Sequence, residues 1–282
     1  MTGRSTPPFD APLGNAERAL HAAILALQAQ RPDEAERIAA GVLKNYPDHA
    51  DAAGILGCAM MLQNRAAEAI PVLEQAARRG NNSQVETQYA DALVATGRRD
   101  EALAQLRQTM ARRPAFLPSF VMFARYTAEA GNYADAIAVL QQALGLFPGA
   151  WELQNELARQ YIKTNDRAAA RAVLLQALAG VPEHPFLLIT LGQVLYLEGD
   201  YAAAAEVYRR VLAANPGDAG ARTNLGSCRL EMGARAAGEA DLHAAVRAAP
   251  QLASHAINAL AMSSHGRFFL RLSAAMDFVR GA

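Results

Sequence analysis

The sequence repeats with a period of 34 residues. Five prolines are each 34 residues apart, and one more precedes the first of them by 67. They are Pro47, Pro114, Pro148, Pro182, Pro216 and Pro250. Small residues recur in phase with them, at Ala35, Ala69, Ala102, Ala136, Ala170, Ala204 and Gly238. A fixed period of this length is typical of architectures in which each repeat buries its apolar face against its neighbours.

Residues 185–218 are the clearest copy of the repeat. Apolar residues from Phe186 to Tyr196 recur at helical spacing, and they recur again from Ala204 to Leu212. Between them lies the sequence Glu198-Gly199-Asp200, which interrupts the pattern. The copy therefore predicts a helix, a tight turn and a second helix.

The predicted turn has a glycine or an asparagine at the same position of six copies. These residues are Asn64, Gly97, Gly131, Asn165, Gly199 and Gly233. Gly and Asn adopt the left-handed conformation at low cost, so each is expected to end the first helix of its repeat. The proline at the end of the repeat cannot continue a helix, and it separates one helical hairpin from the next.

A second series of small residues lies in the first helices, at Ala23, Gly57, Ala90, Ala124, Ala158, Gly192 and Gly226. Small side chains let two helices approach closely, so the two series predict where the helices of each hairpin cross. Larger side chains follow the small residues of the second helices, the series that ends at Gly238, and are expected to fill the space beside the crossings. They are Leu73, Leu106, Leu140, Leu174, Tyr208 and Leu242.

In the first helices a large residue precedes the small one, as in Leu191-Gly192. Taken together, this large-small pair, the Gly or Asn turn, the alanine of the second helix and the final proline resemble the tetratricopeptide repeat family. The resemblance implies an all-α fold, a right-handed superhelical solenoid of helix-turn-helix repeats. Seven units are assigned, near residues 16–49, 50–82, 83–116, 117–150, 151–184, 185–218 and 219–252. The second is one residue short, with Gly80-Asn81-Asn82 in place of its proline, and the first is rich in alanine.

Both ends of the chain depart from the repeat. Residues 1–15 have no apolar core, so we expect a disordered arm and neither a secretory signal nor a membrane anchor. After Pro250 the register slips, and a one-residue insertion would return Leu260, Ala261 and Ser273 to the large, small and small positions. Residues 253–282 are therefore assigned to a degenerate C-terminal capping pair of helices.

The last helix of this pair is expected to hold more apolar residues than one buried stripe needs, namely Phe268, Phe269, Leu270, Leu272, Met276 and Phe278. Two interpretations remain open. Either these side chains all pack against the seventh repeat, or Phe268, Phe269, Leu272 and Phe278 form a surface for docking or for a homodimer contact.

The family resemblance also implies that the first helices line a concave groove. Register places the candidate partner-binding residues there: Asp91, Arg125, Asn155, Arg159, Lys163, Phe186, Ile189, Gln193 and Tyr196. The centre of this groove is basic and amide-bearing, which suits a carboxylate or a peptide backbone, and its C-terminal part is apolar. The alternative is that Arg125 and Arg159 pair only with Glu129, Glu152 or Glu156. Asn224 matches just one position of the family's chaperone clamp, so chaperone binding is not predicted.

Composition narrows the function classes. The 27 basic and 27 acidic residues cancel, which disfavours nucleic acid and anionic membranes as partners. The most apolar stretch, Phe186–Leu197, is too short to cross a bilayer, and a cytoplasmic location is expected. The six histidines lack metal-ligand spacing, including His49 beside Asp51, so no metal, no cofactor and no catalytic residue is predicted.

Two functions follow from these observations. The first is a non-catalytic scaffold for protein–protein interaction, which binds a peptide or a helix of a partner in its groove. The second is an accessory or regulatory subunit of a separately encoded modifying enzyme, docking through the apolar C-terminal helix.

Overall fold

The protein is helical throughout the residues that its computed structural model describes, 13–269 and 271–281. Within them lie sixteen α-helices and one short 3-10 helix at Pro250–Leu252, and no strand. The α-helices are α1 Leu13–Gln28, α2 Pro32–Asn45, α3 Ala50–Leu62, α4 Ala66–Arg79, α5 Ser83–Ala95, α6 Arg99–Met110, α7 Leu117–Glu129, α8 Tyr133–Leu146, α9 Trp151–Lys163, α10 Arg167–Gly180, α11 Pro185–Glu198, α12 Tyr201–Ala214, α13 Ala219–Glu231, α14 Arg235–Ala248, α15 Ala253–Met262 and α16 Leu272–Arg280. The predicted all-α fold class is confirmed.

The chain forms two compact units, Met1–Val139 and Leu140–Ala282, and the boundary lies within α8. From α1 to α7, and again from α9 to α16, each helix packs against the next one along the chain. In the first unit α1, α3, α5 and α7 also pack side by side, and in the second α9 packs on α11 and α13 on α15. Each unit is therefore a stack of helical hairpins.

The turn inside each hairpin has the predicted left-handed residue. The φ angles are 60° at Asn64, 81° at Gly97, 87° at Gly131, 62° at Asn165, 86° at Gly199 and 80° at Gly233. The first repeat uses Gln30 for the same purpose, with a φ of 57°. Glutamine is not a residue that favours this conformation, so the sequence pattern did not reveal this turn.

The two series of small residues lie where the helices cross, and their alanines are buried. The crossing of α13 and α14 has glycine on both sides, Gly226 and Gly238. A Cβ at Gly226 would lie 3.0 Å from the carbonyl oxygen of Gly238, and a Cβ at Gly238 would lie 2.9 Å from the carbonyl oxygen of Gly226. The facing atoms belong to the backbone, so a methyl group at Gly238 would force the helices to shift, and one at Gly226 would fit only tightly.

The shortened second repeat ends without a proline, and hydrogen bonds of polar side chains define its end instead. Asn82 caps α5, because its Oδ1 accepts hydrogen bonds from the backbone N–H groups of Gln84 at 3.0 Å and Val85 at 3.2 Å. Arg112, after α6, reaches back to this turn and binds Asn81 and the buried carboxylate of Glu86. The join between these repeats is thus made by hydrogen bonds.

At the N-terminus, α1 begins at Leu13, so residues 13–15 of the expected arm are helical. No proline follows Pro12 in this part of the sequence, and nothing prevents the helix from extending back to Leu13. Residues 1–12 of the expected arm lie outside the described residues.

At the C-terminus, the assignment of Phe268 and Phe269 to the last helix is wrong, because both precede α16. The chain reverses after α15, where the N–H of Arg267 binds the carbonyl oxygen of Leu260 at 2.8 Å. Gly266 is needed there, since a Cβ would lie 1.8 Å from that oxygen. Leu270 lies outside the described residues.

The two small positions predicted in the C-terminal pair are also wrong. Ala261 and Ser273 are exposed, although Leu260 is fully buried as expected of a large position. The buried face of α15 is instead formed by Ala253, Ala256 and Leu260. The C-terminal helices pack through other positions than the preceding repeats do, so Ala261 and Ser273 do not lie at helix crossings and need not be small.

Candidate functional site

The candidate partner-binding residues fall on first helices of both units. Asp91 and Arg125 lie on α5 and α7 in the first unit. Asn155, Arg159 and Lys163 lie on α9 in the second unit. Phe186, Ile189, Gln193 and Tyr196 lie on α11, also in the second unit.

In the first unit, Asp91 and Arg125 are joined through a tyrosine that the sequence pattern did not select. The hydroxyl of Tyr126 donates to the carboxylate of Asp91, and Nη2 of Arg125 donates to the tyrosine oxygen at 3.2 Å. Burial and the bond to Asp91 raise the pKa of Tyr126 to about 12. Glu129 pairs with Arg99 at 3.3 Å, so it is Tyr126 and not Glu129 that holds Arg125.

The basic residues of α9 differ in their surroundings. Arg159 lies 3.9 Å from the carboxylate of Glu156, at the limit of an ion pair, and its side chain is 60% exposed. Lys163 is exposed, and no carboxylate of the described residues pairs with it. Both cations are accessible from solvent.

Asn155 serves the contact between α9 and α11. Its Oδ1 accepts a hydrogen bond from Oγ1 of Thr190 at 2.8 Å, and Thr190 is buried. The carbonyl oxygen of this side chain therefore stabilises the fold through one of its two acceptor sites.

Phe186 belongs to an aromatic group at the start of α9 and α11. Its ring is stacked on Trp151 with 6.0 Å between centroids and 4° between planes, and His184 lies 3.8 Å from Trp151. The ring of Phe186 is 59% exposed. This group does not line the pocket formed by the other α11 residues.

That pocket lies between the first helices of the last repeats and has a volume of about 530 Å³. We call it the C-terminal pocket and define it by the residues that line it: Ile189, Gln193, Tyr196, Tyr208, Gly220, Thr223, Asn224, Ser227, Leu252, His255, Asn258, Ala259 and Met262. The structure therefore brings Ile189, Gln193 and Tyr196 together with residues of α13 and α15.

The residues of α15 were missed as site residues, although one signal was available. With the one-residue insertion after Pro250, Asn258 takes the position of Thr223 and Met262 takes that of Ser227, and all four residues line the pocket. The register slip after Pro250 concealed this relation. The C-terminal pair thus continues the row of first helices as well as covering the seventh repeat.

The floor of the pocket comes from Tyr208, which stands where five other repeats have leucine. Its ring lies against Gly192, where a Cβ would be 2.6 Å from Cζ. On the wall, Tyr196 donates to Oε1 of Glu231 at 3.2 Å. Burial and this carboxylate raise the pKa of Tyr196 to about 12, so the phenol stays protonated at neutral pH.

A second pocket, of about 660 Å³, lies in the first unit between α1, α3 and α5. Its lining includes two carboxylates, Glu17 and Asp51, together with His21 and His49. Gln88 donates to the sulfur of Cys58 at 3.0 Å there. This pocket is acidic, whereas the C-terminal pocket has no Asp, Glu, Lys or Arg in its lining.

The surface expected at the C-terminus is only partly exposed. Phe268 is 81% exposed and Leu272 is 71% exposed. Phe269 and Phe278 instead turn towards each other, with centroids 5.4 Å apart, and Phe278 also contacts His243 and lies under the guanidinium of Arg267. Of the four residues expected to form this surface, Phe268 and Leu272 are the exposed ones.

Over residues 13–269 and 271–281, no group of three or more His, Cys, Asp or Glu side chains is arranged to hold a metal ion. In the same part of the chain, no helix has the length and apolar character needed to span a membrane.

Sequence comparison agrees with this arrangement of hairpins. One model described as tetratricopeptide repeat matches residues 60–119, 128–187 and 195–262, and a second model of the same description matches residues 20–83. The chain belongs to the tetratricopeptide repeat family. Members of this family are generally non-catalytic modules that bind protein partners. No curated protein matches the sequence.

Solved structures share the fold. A tetratricopeptide repeat protein from Parabacteroides merdae ATCC 43184 has a TM-score of 0.65 at 13% identity, over 87% of this chain and 98% of that one. The APC/C hetero-tetramer Cut9-Hcn1 has a TM-score of 0.64 at 18% identity, over 86% of this chain and 47% of that one. This tetratricopeptide repeat chain therefore spans about half of the chain it matches there.

The human IFIT1 dimer with m7Gppp-AAAA has a TM-score of 0.67 at 14% identity, over 87% of this chain and 62% of that one. At such identities the likeness concerns the fold alone.

Proposed function

We propose that this protein is a non-catalytic scaffold and that the C-terminal pocket binds a segment of a protein partner. The observation that carries the proposal is the pocket itself, about 530 Å³ in volume and built from three successive first helices. Volumes of roughly 300–1,000 Å³ are usual for binding sites, and an apolar wall with a few polar groups is their usual lining. Ile189, Leu252 and Met262 supply the apolar part here.

Site-directed photocrosslinking in the native cell tests this proposal. A photoreactive amino acid is placed at Gln193 or at Asn258, both exposed at the pocket, and at Gln176 on α10 as the control. We expect the same protein adduct from both pocket positions and none from Gln176. Equal adducts from all three positions, or none from the pocket, would contradict the proposal.

The proposed site extends to two exposed basic residues of the same unit, Arg159 and Lys163, as candidates for contacts with a longer partner segment. Arg125 is exposed in the first unit and stays a separate candidate for partner binding. To measure the contribution of Arg125 and Arg159 to partner binding, the photocrosslinking is repeated with the Arg125→Glu and Arg159→Glu variants, and each adduct yield is compared with that of wild type. Unchanged yields would confine the site to the C-terminal pocket. We expect no nucleic acid at the pocket, because its lining has no Lys or Arg to neutralise phosphate.

A second candidate function is favoured by the exposure of Phe268 and Leu272, which are 81% and 71% exposed. It is an accessory role in which this surface docks on a separately encoded enzyme, or on a second copy of the chain. Sedimentation of wild type and of a Phe268→Ser, Leu272→Ser variant separates the two. If the surface is a dimer contact, the variant should sediment with half the mass of wild type. If it is an enzyme contact, the two masses should be equal, and the enzyme that co-purifies with wild type should be absent from the variant.

A further inference from the structure

The first hairpin has an open groove between α1 and α2, with a volume of about 570 Å³. We call it the N-terminal groove and define it by six of the residues that line it: Asn15, Ala19, Ile38, Gly41, Val42 and Asn45. The side chain of Ile38 is only partly buried there. A terminal repeat has one neighbour fewer than the others, so its outer apolar residues need a cover.

The second repeat has the same groove, but there it is partly filled. Six of its lining residues lie 34 residues after those of the N-terminal groove, namely His49, Ala53, Val72, Gln75, Ala76 and Arg79. Leu43, Pro47 and Asp48, from the end of the first repeat, complete its lining. Its volume is about 240 Å³, less than half that of the N-terminal groove. Among the described residues, nothing takes the place of these three in the N-terminal groove.

The repeat register indicates which residue corresponds to Leu43. The position eight residues after the small residue of the second helix is apolar and buried or partly buried in all seven repeats, at Leu43, Ala77, Met110, Leu144, Leu178, Leu212 and Val246. One period before Leu43 stands Phe9. The arm thus has a large apolar residue at the position that packs against the following repeat.

The N-terminal groove has room for the larger ring of phenylalanine. Gln75 lines the groove of the second repeat, whereas Gly41 stands at the equivalent position of the first. A Cβ at Gly41 would meet nothing within 4 Å. One methyl group would leave most of this space open, but a glutamine side chain would fill it. A larger residue on one side is therefore matched by a smaller one on the other.

Charge complementarity favours the same segment. The exposed Arg37 also lines the N-terminal groove, and no Asp or Glu of the described residues does. Asp10 follows Phe9 directly in the sequence. A segment that docks through Phe9 brings this carboxylate close to the guanidinium of Arg37.

The chain before α1 is long enough to reach the groove. Residues 13–15 are helical, unlike their counterparts 47–49, so the arm approaches by a different path from the end of the first repeat. Along the axis of α1, Leu13 and Ala19 are about 9 Å apart. The four residues from Phe9 to the start of the helix span about 13 Å when extended. Phe9 can therefore fold back as far as Ala19.

We propose that residues 7–12 of this chain dock in the N-terminal groove, with Phe9 in the place that Leu43 takes in the second repeat. The segment covers the first hairpin as a preceding repeat would, and it replaces the disorder expected of these residues from composition. The groove is then not free for another protein. The proposal is independent of the function proposed for the C-terminal pocket.

Photocrosslinking of the purified full-length protein tests the proposal. A photoreactive amino acid is placed at Asn45, exposed in the groove, or at Lys44, exposed on α2 outside it. We expect position 45 to form an adduct with residues 7–12 of the same chain, at a yield that does not depend on protein concentration. Position 44 should form little of it. Proteolysis and mass spectrometry locate the adduct.

Three results would overturn the proposal. An adduct of twice the chain mass from position 45 would mean that a second copy occupies the groove. Equal yields from positions 44 and 45 would mean that the arm has no preference for the groove. The third is a position 45 that forms no adduct with residues 7–12.

Exchanges of Phe9 test the anchor of the segment. Phe9→Asp is expected to lower the adduct yield from position 45 by roughly tenfold, because the burial of an aromatic side chain is lost. Phe9→Leu, which supplies the residue type of the second repeat, should keep most of the yield. Thr6→Asp adds the same charge outside the docked segment and should leave the yield unchanged. A wild-type yield from Phe9→Asp would refute docking through Phe9.

An exchange in the groove tests the other side of the contact. Gly41→Gln gives the N-terminal groove the side chain of the second repeat and should lower the adduct yield severalfold. Gly145→Gln makes the same exchange at an exposed glycine of α8, where a Cβ also meets nothing within 4 Å, and should not change it. Thermal unfolding verifies that both variants retain the fold. Equal yields from the two variants would place the arm outside the groove and overturn the proposal.

Discussion

Tyr208 packs its ring on Gly192, where a Cβ would lie 2.6 Å from Cζ and 2.7 Å from Cε1. The equivalent pair of the preceding repeat is Ala158 and Leu174, both buried. The tyrosine that forms the floor of the C-terminal pocket is therefore accommodated by the loss of a methyl group on the facing helix.

Gly192→Ala is expected to destabilise the protein by about 1–3 kcal/mol, because the ring of Tyr208 must move to admit the methyl group. Urea unfolding measures the change. Gly41→Ala in α2 is the control, since a Cβ there meets nothing within 4 Å. We expect that control to be neutral or stabilising.

The second exchange Tyr208→Leu should rescue Gly192→Ala, since the double variant recreates the pair of the preceding repeat. Failure of the rescue would show that the contact between Tyr208 and Gly192 is not the cause of the instability. The same double variant is expected to weaken ligand binding at the C-terminal pocket, because it removes the aromatic floor.

Much of the fold was predictable because the same residue types recur at the same positions of successive repeats, and each recurrence indicates the same structural feature. The left-handed turns follow from Gly and Asn at one position, and the crossings follow from small residues at two others. Gln30 shows the limit of this reasoning, since its left-handed φ of 57° is imposed by the surrounding hairpin and not by its own preference.

The C-terminal pocket was only half predictable. Ile189, Gln193 and Tyr196 follow from register, but His255 and Asn258 lie beyond the point where the register slips. The reversal at Gly266 was also hidden, because it depends on the carbonyl oxygen of Leu260, a backbone group that every residue carries. Local sequence does not specify such tertiary contacts.

Removal of Arg112 is expected to be strongly destabilising. Its Nε lies 3.2 Å from Oε2 of Glu86, and Glu86 is 1% exposed. Arg112→Ala leaves this carboxylate buried without a cation, which costs about 3 kcal/mol, the lower end of the usual range because the arginine is partly exposed. Urea unfolding measures the loss.

Arg113→Ala is the matched control, because Arg113 binds only nearby backbone carbonyls, those of Met110, Ala111 and Arg112. It should change stability by less than about 0.5 kcal/mol. Adding Glu86→Gln to Arg112→Ala removes the buried charge and should recover part of the loss. An equal loss in Arg112→Ala and Arg113→Ala would contradict the role assigned to Glu86.

Glu36 should make stability depend on pH. It accepts hydrogen bonds from Gln63 at 2.7 Å and Arg65 at 2.8 Å, and these lower its pKa below the ordinary 4.5. A carboxylate with a lowered folded-state pKa stabilises the protein above its ordinary pKa, and this contribution is lost as the pH falls below that value.

The Glu36→Gln variant is therefore expected to be less stable than wild type near pH 7, and the difference should shrink as the pH falls below 4.5. Thermal unfolding at a series of pH values measures it. Asp100→Asn on α6 makes the same charge change at an exposed position. A constant difference between wild type and Glu36→Gln at all pH values would exclude the linkage.

Gln30→Gly should stabilise the first repeat. Gln30 is exposed and has a φ of 57°, a conformation that costs a residue with a Cβ roughly 1 kcal/mol and costs glycine almost nothing. The other six turns already use Gly or Asn. We expect a gain of about 0.5–1 kcal/mol in the free energy of unfolding, measured in urea. Gln28→Gly makes the same exchange at the last residue of α1, which is helical, so glycine is less favourable there and should lower stability. If both variants shift the free energy of unfolding in the same direction, the left-handed conformation of Gln30 is not what lowers the stability of the first repeat.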